Sequence, residues 1–493
     1  MSVMQDLVGV LKFRVFQLLA LTALIVGVGT ECFITKLSVR DLDIWWHLSV
    51  GDWIVQHRAF PHTGILSRTA ANRPWMAYSW GYEVMLSRSY AWFGFLGMAL
   101  FGTALTIAVS IALFWMVHRL SGRFWFAWTL SIPVYSAFLF NIMPRPVFFT
   151  MLMFTITLTL LLEAQRSGRV RLLYWLPLIF LLWANLHIQF IYGLATIALF
   201  AGINLLQRLA LSSRVYPTVL RTPTLPLAQV FAVLACCGLA ACVGPYSFHL
   251  YQEALYLSRS RIMYAMISEL QALSFAGYGH FFELLLAAGA YFALGWKKKV
   301  DPFKLALLVV ASIFAFRATR DAWFICITAA AVIADFPAAQ RERVRLINLP
   351  ECTGVAVATV LLLLLVAQNT DFNARGLDRT ISSDFPVDAC NFLRKHPVGG
   401  PLFNSFNWGG FLIFYMPQYP VAMDGRTDLY GDTLDAQYYA TENAEPSYTT
   451  NPYLNEAGVV LLKKSLPLGQ LLPTDPRFRV IYRDELAVVL ARN

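Results

Sequence analysis

Long apolar runs separated by short polar segments dominate the first three quarters of the chain. A membrane-spanning helix needs about 20 predominantly apolar residues, and about eleven stretches approach that length. They are 13–30, 92–117, 124–141, 147–163, 172–187, 189–207, 227–244, 280–296, 303–316, 322–336 and 353–368. Several are short, so neighbouring pairs could form re-entrant or broken helices. From Asp371 the pattern changes: charge density rises and the apolar runs shorten. Segments 401–404, 420–423, 458–462, 478–482 and 486–490 read as short buried strands, with a helix expected over 387–395. This alternation predicts a small α/β domain over 371–493, large enough for its own core. Residues 1–370 are expected to form the membrane domain, with a long outside loop at 31–91.

Composition supports a polytopic α-helical membrane protein. Of 493 residues, 58% are hydrophobic and 14% charged, and the mean hydropathy of +0.56 leaves too little polar surface for a soluble chain of this size. The net charge of +10 is explained by membrane topology before nucleic-acid binding. With the N-terminus inside, His118/Arg119/Arg123, Arg166/Arg169/Arg171, Arg208/Arg214/Arg221, Lys297/Lys298/Lys299 and Arg341/Arg343/Arg345 all fall on the cytoplasmic side. The same parity puts 31–91, 245–279, 317–321 and the C-terminal α/β domain outside. The first apolar stretch follows Lys12 and Arg14, is long, and lacks a clear small-residue cleavage site before Glu31, so it reads as an uncleaved span. The seven cysteines form no CxxC pair and the histidines are scattered, which argues against a structural zinc site.

The outside segments carry the candidate chemistry. In Asp41-Leu-Asp43-Ile-Trp45-Trp46-His47, two acids stand one residue apart just past the first span. In an extended loop their side chains would point the same way and share a cation or a proton. The competing reading is a solvated loop. Trp45 and Trp46 are expected to anchor this loop at the headgroups, and Trp46, Val50, Trp53 and Ile54 suggest an amphipathic helix lying on the membrane. Glu269 lies in the second outside segment, where an ordinary exposed loop acid is as good a reading. Arg317 and Arg320 sit at an outside boundary against the positive-inside rule and therefore call for an anion, a lipid phosphate or a neighbouring acid such as Asp321. Arg145, in Met143-Pro-Arg-Pro146, has the same status. Asn185, His187 and Gln189 read as polar glue between helices. In the C-terminal domain, Asn407-Trp408-Gly-Gly-Phe411 and Asp424-Gly-Arg-Thr427 stand out; the first permits close backbone approach, and the second also fits a simple turn. No Walker motif, dinucleotide-binding glycine fingerprint or GxSxG is present.

In this order the pieces resemble the GT-C superfamily of integral-membrane glycosyltransferases, and within it the architecture of the oligosaccharyltransferase catalytic subunit. The chain is also similar to a bacterial branch of membrane proteins with an Asp-x-Asp-x-Trp-Trp-His start and a Trp-Gly-Gly…Asp-Gly-Arg ending. The resemblance implies a sugar donor carried on polyprenyl phosphate or diphosphate, and an acceptor glycan, lipid or protein outside the cell membrane. It makes Asp43 the first candidate for the essential acid and Asp41 the second. Ile267-Ser-Glu269-Leu-Gln271 resembles the family's later outside-loop motif, which gives Glu269 a role in metal or acceptor binding. It leaves a divalent cation, magnesium or manganese, as an option on Asp43 and Glu269. Arg317, Arg320, Arg145 and His47 become candidates for the donor phosphate, and Trp408 and Asp424 for substrate contact. The family's Trp-Trp-Asp-Tyr-Gly motif is matched only by Trp408-Gly409-Gly410, without its aspartate, which counts against asparagine-linked transfer. The implied setting is the bacterial inner membrane, with the C-terminal domain in the periplasm. The reading from another class is a non-catalytic transporter or scaffold with a glycan- or protein-binding outside domain. Ionisable residues gathered at the outside boundary, away from the bilayer midplane, favour the enzyme.

Overall fold

The structure, a computed structural model, describes residues 2–138, 143–212, 220, 222–259, 267–297, 299–336 and 348–493, with backbone alone for 2–13 and 138. Arg214, Arg221, Lys298, Arg341, Arg343 and Arg345, and the end of the apolar stretch 124–141, lie outside the described residues. The chain forms two compact units.

The first unit comprises Met1–Thr35, Gly102–Ala254 and Ile267–Thr370 and is helical. Taken over the whole chain, every apolar stretch named above carries a helix. Among the described residues, five helices have the length and hydropathy to cross a membrane: Arg14–Arg40, Trp80–Ser121, Val147–Ser167, Phe190–Ser212 and Leu349–Asn369. Helix Trp80–Ser121 is kinked at Gly94, whose φ of 59° suits glycine. The core helix of this unit is Ala322–Ala334, buried along almost its entire length. Its run of alanines lets helices Tyr278–Gly295, Pro302–Arg317 and Phe124–Phe138 pack closely against it. Helix Leu349–Asn369 is the opposite case. It packs along helix Ser2–Thr35 and leaves Leu361, Leu364 and Leu365 exposed, as a lipid-facing helix should. Arg14 clamps it through Glu351 (Nη2–Oε2 2.8 Å), and Asn348 and Glu351 close its first turn as a capping box.

The second unit comprises Lys36–Phe101, Leu255–Met266 and Asp371–Asn493, so the long first loop belongs to the same compact unit as the C-terminal α/β region. Its sheet has strands β1 (Leu402–Asn404), β2 (Val459–Lys463), β3 (Phe478–Arg483) and β4 (Ala487–Arg492) in the order β1-β2-β4-β3. β1 and β2 are parallel, with Leu402 opposite Val459; the other pairs are antiparallel. Val459–Leu462 and Ala487–Ala491 are buried on both faces, which is why they read as unbroken apolar runs. Helix Val387–Lys395 forms as expected.

The strand at 420–423 and the membrane-surface helix are corrected in this unit. Segment 420–423 is not a ladder strand. Val421 makes a single bridge to Ser67, and the Asn404 side chain takes the Ala422 N–H and donates to the Met423 carbonyl. Side-chain bonds thus replace the ladder, and Pro420 has no N–H to offer one. The tryptophan-rich helix, Ile44–His57, is a core helix and not one lying on a membrane surface. Trp45 is fully buried, with the Phe411 and Phe385 rings at 5.1 and 5.3 Å. Trp46 is buried as well. A tryptophan that anchors a loop and one that fills a core look alike in sequence, since both bury an apolar body and ask for one N–H acceptor.

Candidate active site

The acidic motif is built at a helix start. Asp41 ends the short turn of helix Leu37–Arg40, and its carboxylate accepts the backbone N–H of Asp43 at 3.0 Å. Asp43 takes helical angles (φ −88°, ψ −21°) and leads helix Ile44–His57. The expected extended loop with parallel carboxylates is therefore corrected. Asp41 is turned inward, 1% exposed, and fixes the turn, while Asp43 is half-buried at the helix end. One turn on, Trp46 donates its indole N–H to Asp43 Oδ1 at 3.1 Å. On the same helix His47 Nδ1 stands 3.0 Å from Glu83 Oε1, both side chains buried. The other Glu83 oxygen makes no hydrogen bond among the described residues.

Glycines bring the other two motifs against this helix start. A Cβ on Gly410 would lie 2.8 Å from the Leu42 carbonyl, and one on Gly425 2.2 Å from Asp43 Oδ1. One on Gly409 would lie 2.0 Å from the Met423 carbonyl, just before Asp424. The Asp-x-Asp-x-Trp-Trp-His, Trp-Gly-Gly and Asp-Gly-Arg motifs thus meet in one place, and the glycines are what let them touch.

Asp424 is fully buried. Arg426 grips it in a fork (Nε–Oδ1 2.8 Å, Nη2–Oδ2 2.7 Å), and the Tyr430 hydroxyl donates to Oδ2 at 2.7 Å. The Arg426 guanidinium lies 4.9 Å from the Trp75 ring centroid, and its Nη1 makes no hydrogen bond among the described residues. It is within electrostatic range of Glu83. The Trp75 N–H donates to Asp428 at 2.8 Å. Burial pushes the Asp428 carboxyl up to about 6, although that N–H and Arg426 both pull it down. Trp408 is 2% exposed and belongs to the packing beneath the Gly-Gly pair.

The remaining candidates are in the helical unit. Arg145 Nη1 pairs with Glu269 Oε1 at 3.1 Å, so a loop acid is its partner. The Glu269 loop is tied to the turn Thr319–Asp321, whose Thr319 N–H and hydroxyl both donate to the Gln271 carbonyl at 3.0 and 3.1 Å. Arg320 follows in that turn. Burial alone would raise the Glu269 carboxyl, but the Arg320 and Arg145 guanidiniums outweigh it and hold it below the ordinary value. Asp321 accepts from the Tyr192 hydroxyl at 2.9 Å, and Arg317 ends its helix exposed. His187 meets Thr150 at 2.8 Å, and Asn185 donates to the Val243 carbonyl at 2.8 Å, which makes both the expected interhelical glue.

Asp41, Asp43, His47, Trp408 and Asp424 are therefore gathered in one unit, and Arg145, Glu269 and Arg320 in the other, with Arg317 three residues before Arg320. Sequence reasoning gave no site role to Glu83, or to Arg426 beyond its place in Asp424-Gly-Arg-Thr427. The signal for Glu83 was an acid among aromatics just before an apolar run, and for Arg426 an arginine between two apolar segments. Among the described residues no three His, Cys, Asp or Glu side chains converge as a metal-ligand set.

No family model matches the chain, and no curated protein matches it. Solved structures do. The archaeal oligosaccharyltransferase AglB from Archaeoglobus fulgidus, in complex with an inhibitory peptide and a dolichol-phosphate, is 9% identical with a TM-score of 0.53, over 92% of this chain and 70% of that one. The Archaeoglobus fulgidus oligosaccharyltransferase in its apo form is 11% identical at 0.51, with the same coverage. The fold is GT-C-like. ArnT from Cupriavidus metallidurans bound to undecaprenyl phosphate is 14% identical over 95% of this chain and 97% of its own, with a TM-score of 0.46. In this GT-C-like chain the acidic motif comes early, before most of the apolar helices, and the small sheet lies near the C-terminus.

Proposed function

We propose that the protein is a membrane glycosyltransferase that moves a sugar from a polyprenyl phosphate or diphosphate carrier to an acceptor outside the cytoplasm. The observation that carries this reading is the Asp43 carboxylate. It is half-buried, aimed by Trp46 and cradled on Gly425, in a chain with a GT-C-like fold. The dolichol-phosphate in the AglB structure supports a donor of that class. Asp43 takes the proton of the acceptor hydroxyl as that oxygen bonds to the sugar's anomeric carbon. The bond from that carbon to the carrier phosphate breaks, and the phosphate leaves with the electron pair. In the helical unit, Arg320, Arg317 and Arg145 are proposed to bind carrier phosphate, since guanidinium matches phosphate oxygens in a fork. Glu269 holds Arg145 in place. Asp41 fixes the turn, and Asp424 fixes Arg426; neither needs to touch substrate to matter.

The chain then crosses the bacterial inner membrane about eleven times, with its N-terminus in the cytoplasm and residues 371–493 in the periplasm. The test replaces the wild-type protein by Asp43→Asn in cells. Lipid-linked sugars and envelope glycans are then compared by mass spectrometry. Transfer should fall by about 10²–10⁴-fold, the range expected for loss of a general base. The lipid-linked sugar should accumulate at unchanged protein level. An unchanged glycan profile would overturn the proposal and favour a transporter or scaffold.

A further inference from the structure

The second unit holds a cavity of about 500 Å³ whose lining includes Arg68, Arg394, Pro397, Pro401, Gln418 and Tyr419. None of the acids, arginines or tryptophans discussed above lines it. Its walls are set in advance. Pro397, Pro401 and Pro420 fix the backbone, and the Tyr419 hydroxyl both accepts the Val398 N–H at 3.0 Å and donates to the Val398 carbonyl at 2.8 Å. Arg68 and Arg394 are among its lining residues, which include no carboxylate. Arg394 lies over the Tyr415 ring, 4.2 Å from its centroid, and donates to the Asn391 side chain at 3.2 Å and to the Tyr415 carbonyl. Arg68 is paired at Nη1 with the exposed acid Glu456 at 3.2 Å, while its Nε and Nη2 are buried with no hydrogen-bond partner among the described residues. A buried guanidinium nitrogen without a partner is costly, and an anion that pulls the Arg68 fork toward it would relieve that cost.

We propose that this cavity binds an acidic saccharide, with its carboxylate or phosphate between Arg68 and Arg394 and its ring faces against the prolines and Tyr419. The volume favours a sugar-borne anion over a bare ion. It lies in the range of small-molecule sites and is far larger than one phosphate needs. Rigid proline and tyrosine walls offer flat apolar surface of the kind that pyranose C–H faces pack on. If the transferase reading holds, the site is where an acidic acceptor glycan docks; the binding itself does not depend on that reading.

The experiment uses the full chain in nanodiscs and isothermal titration with trigalacturonate, maltotriose, inorganic phosphate and a short polyglutamate peptide. Trigalacturonate should bind at least about tenfold tighter than maltotriose and phosphate, a difference of about 1.4 kcal/mol. Arg394→Gln and Arg68→Gln should each weaken it at least about tenfold while melting as wild type does, and Asp43→Asn should bind as wild type does. Trigalacturonate affinity unchanged in both arginine variants, or absent in wild type, overturns the proposal. Equal binding of maltotriose, phosphate or the peptide overturns its saccharide or anion part. Binding retained by an Asp43→Asn protein that has lost no transfer would sink the transferase reading and leave this site standing.

Discussion

The two groups of candidate residues are built in opposite ways. Around Asp43, the hydrogen bonds that orient the acids are close in sequence and at least part-buried: Asp41 bonds the backbone two residues on, Trp46 reaches back three, and Arg426 grips an acid two residues before it. In the helical unit the pairs span large separations, 124 residues for Arg145 and Glu269 and 129 for Tyr192 and Asp321, and Glu269 is 40% exposed. A buried, locally closed network gives a carboxylate one orientation, which general-base chemistry requires. Partly exposed arginines on loops can adjust to a mobile, charged headgroup. The contrast implies that substitutions in the first group act through folding and geometry, and those in the second chiefly through charge.

The largest effect is expected from Asp424→Ala. It strips a buried guanidinium of its fork and should destabilise the protein by about 3–5 kcal/mol, read as a lowered melting temperature in detergent. A melting curve like that of wild type would break the contrast. Gly425→Ala comes next. Its new methyl would lie 2.2 Å from Asp43 Oδ1, so what must move is the carboxylate and not the backbone. Transfer should drop by about 10²-fold, as for a catalytic group displaced by about an ångström. The melting temperature should shift far less than in Asp424→Ala. Loss of folding with loss of transfer would mean that the glycine serves packing alone.

The same contrast explains what could be read from the sequence. Helices appear at each long apolar stretch because hydrophobic periodicity over that length leaves few alternatives. Four of the five short strands appear as well: β1, β2 and β4 are buried apolar runs, while β3 is a partly exposed edge strand. Segment 420–423 has the same composition but bonds to the Asn404 side chain, a long-range choice that no local pattern records. Trp45 looked like an anchor because a core made by distant Phe385 and Phe411 is invisible along the chain. The roles of Glu83 and Arg426 escaped for that reason too. Glu83 acquires its place only when His47, 36 residues earlier, is folded against it. That Asp-x-Asp, Trp-Gly-Gly and Asp-Gly-Arg converge could not be derived from spacing, although each was conspicuous by itself.

The smallest effect is expected from Glu269→Gln, which tests the other side of the contrast. Glu269 is held below its ordinary value by Arg320 and Arg145 against the opposing effect of burial. Its folded state therefore binds fewer protons than the unfolded chain in that interval, and stability rises with pH there. The contribution is present in full above the ordinary glutamate value of about 4.3 and is lost as pH falls through the depressed one. Because the pair is partly exposed, solvent screening limits that contribution to about 1 kcal/mol or less. Glu269→Gln should thus melt within a few degrees of wild type at pH 7. The gap should close on acidification from about pH 5 to about pH 3, since only the wild type loses the ion pair there. Added salt should narrow it at pH 7 in the same way. A loss as large as that of Asp424→Ala, or a gap that widens in acid, would show that this pair is a buried structural clamp like the one at Arg426. The arginines would then lack the freedom that gripping a headgroup phosphate demands.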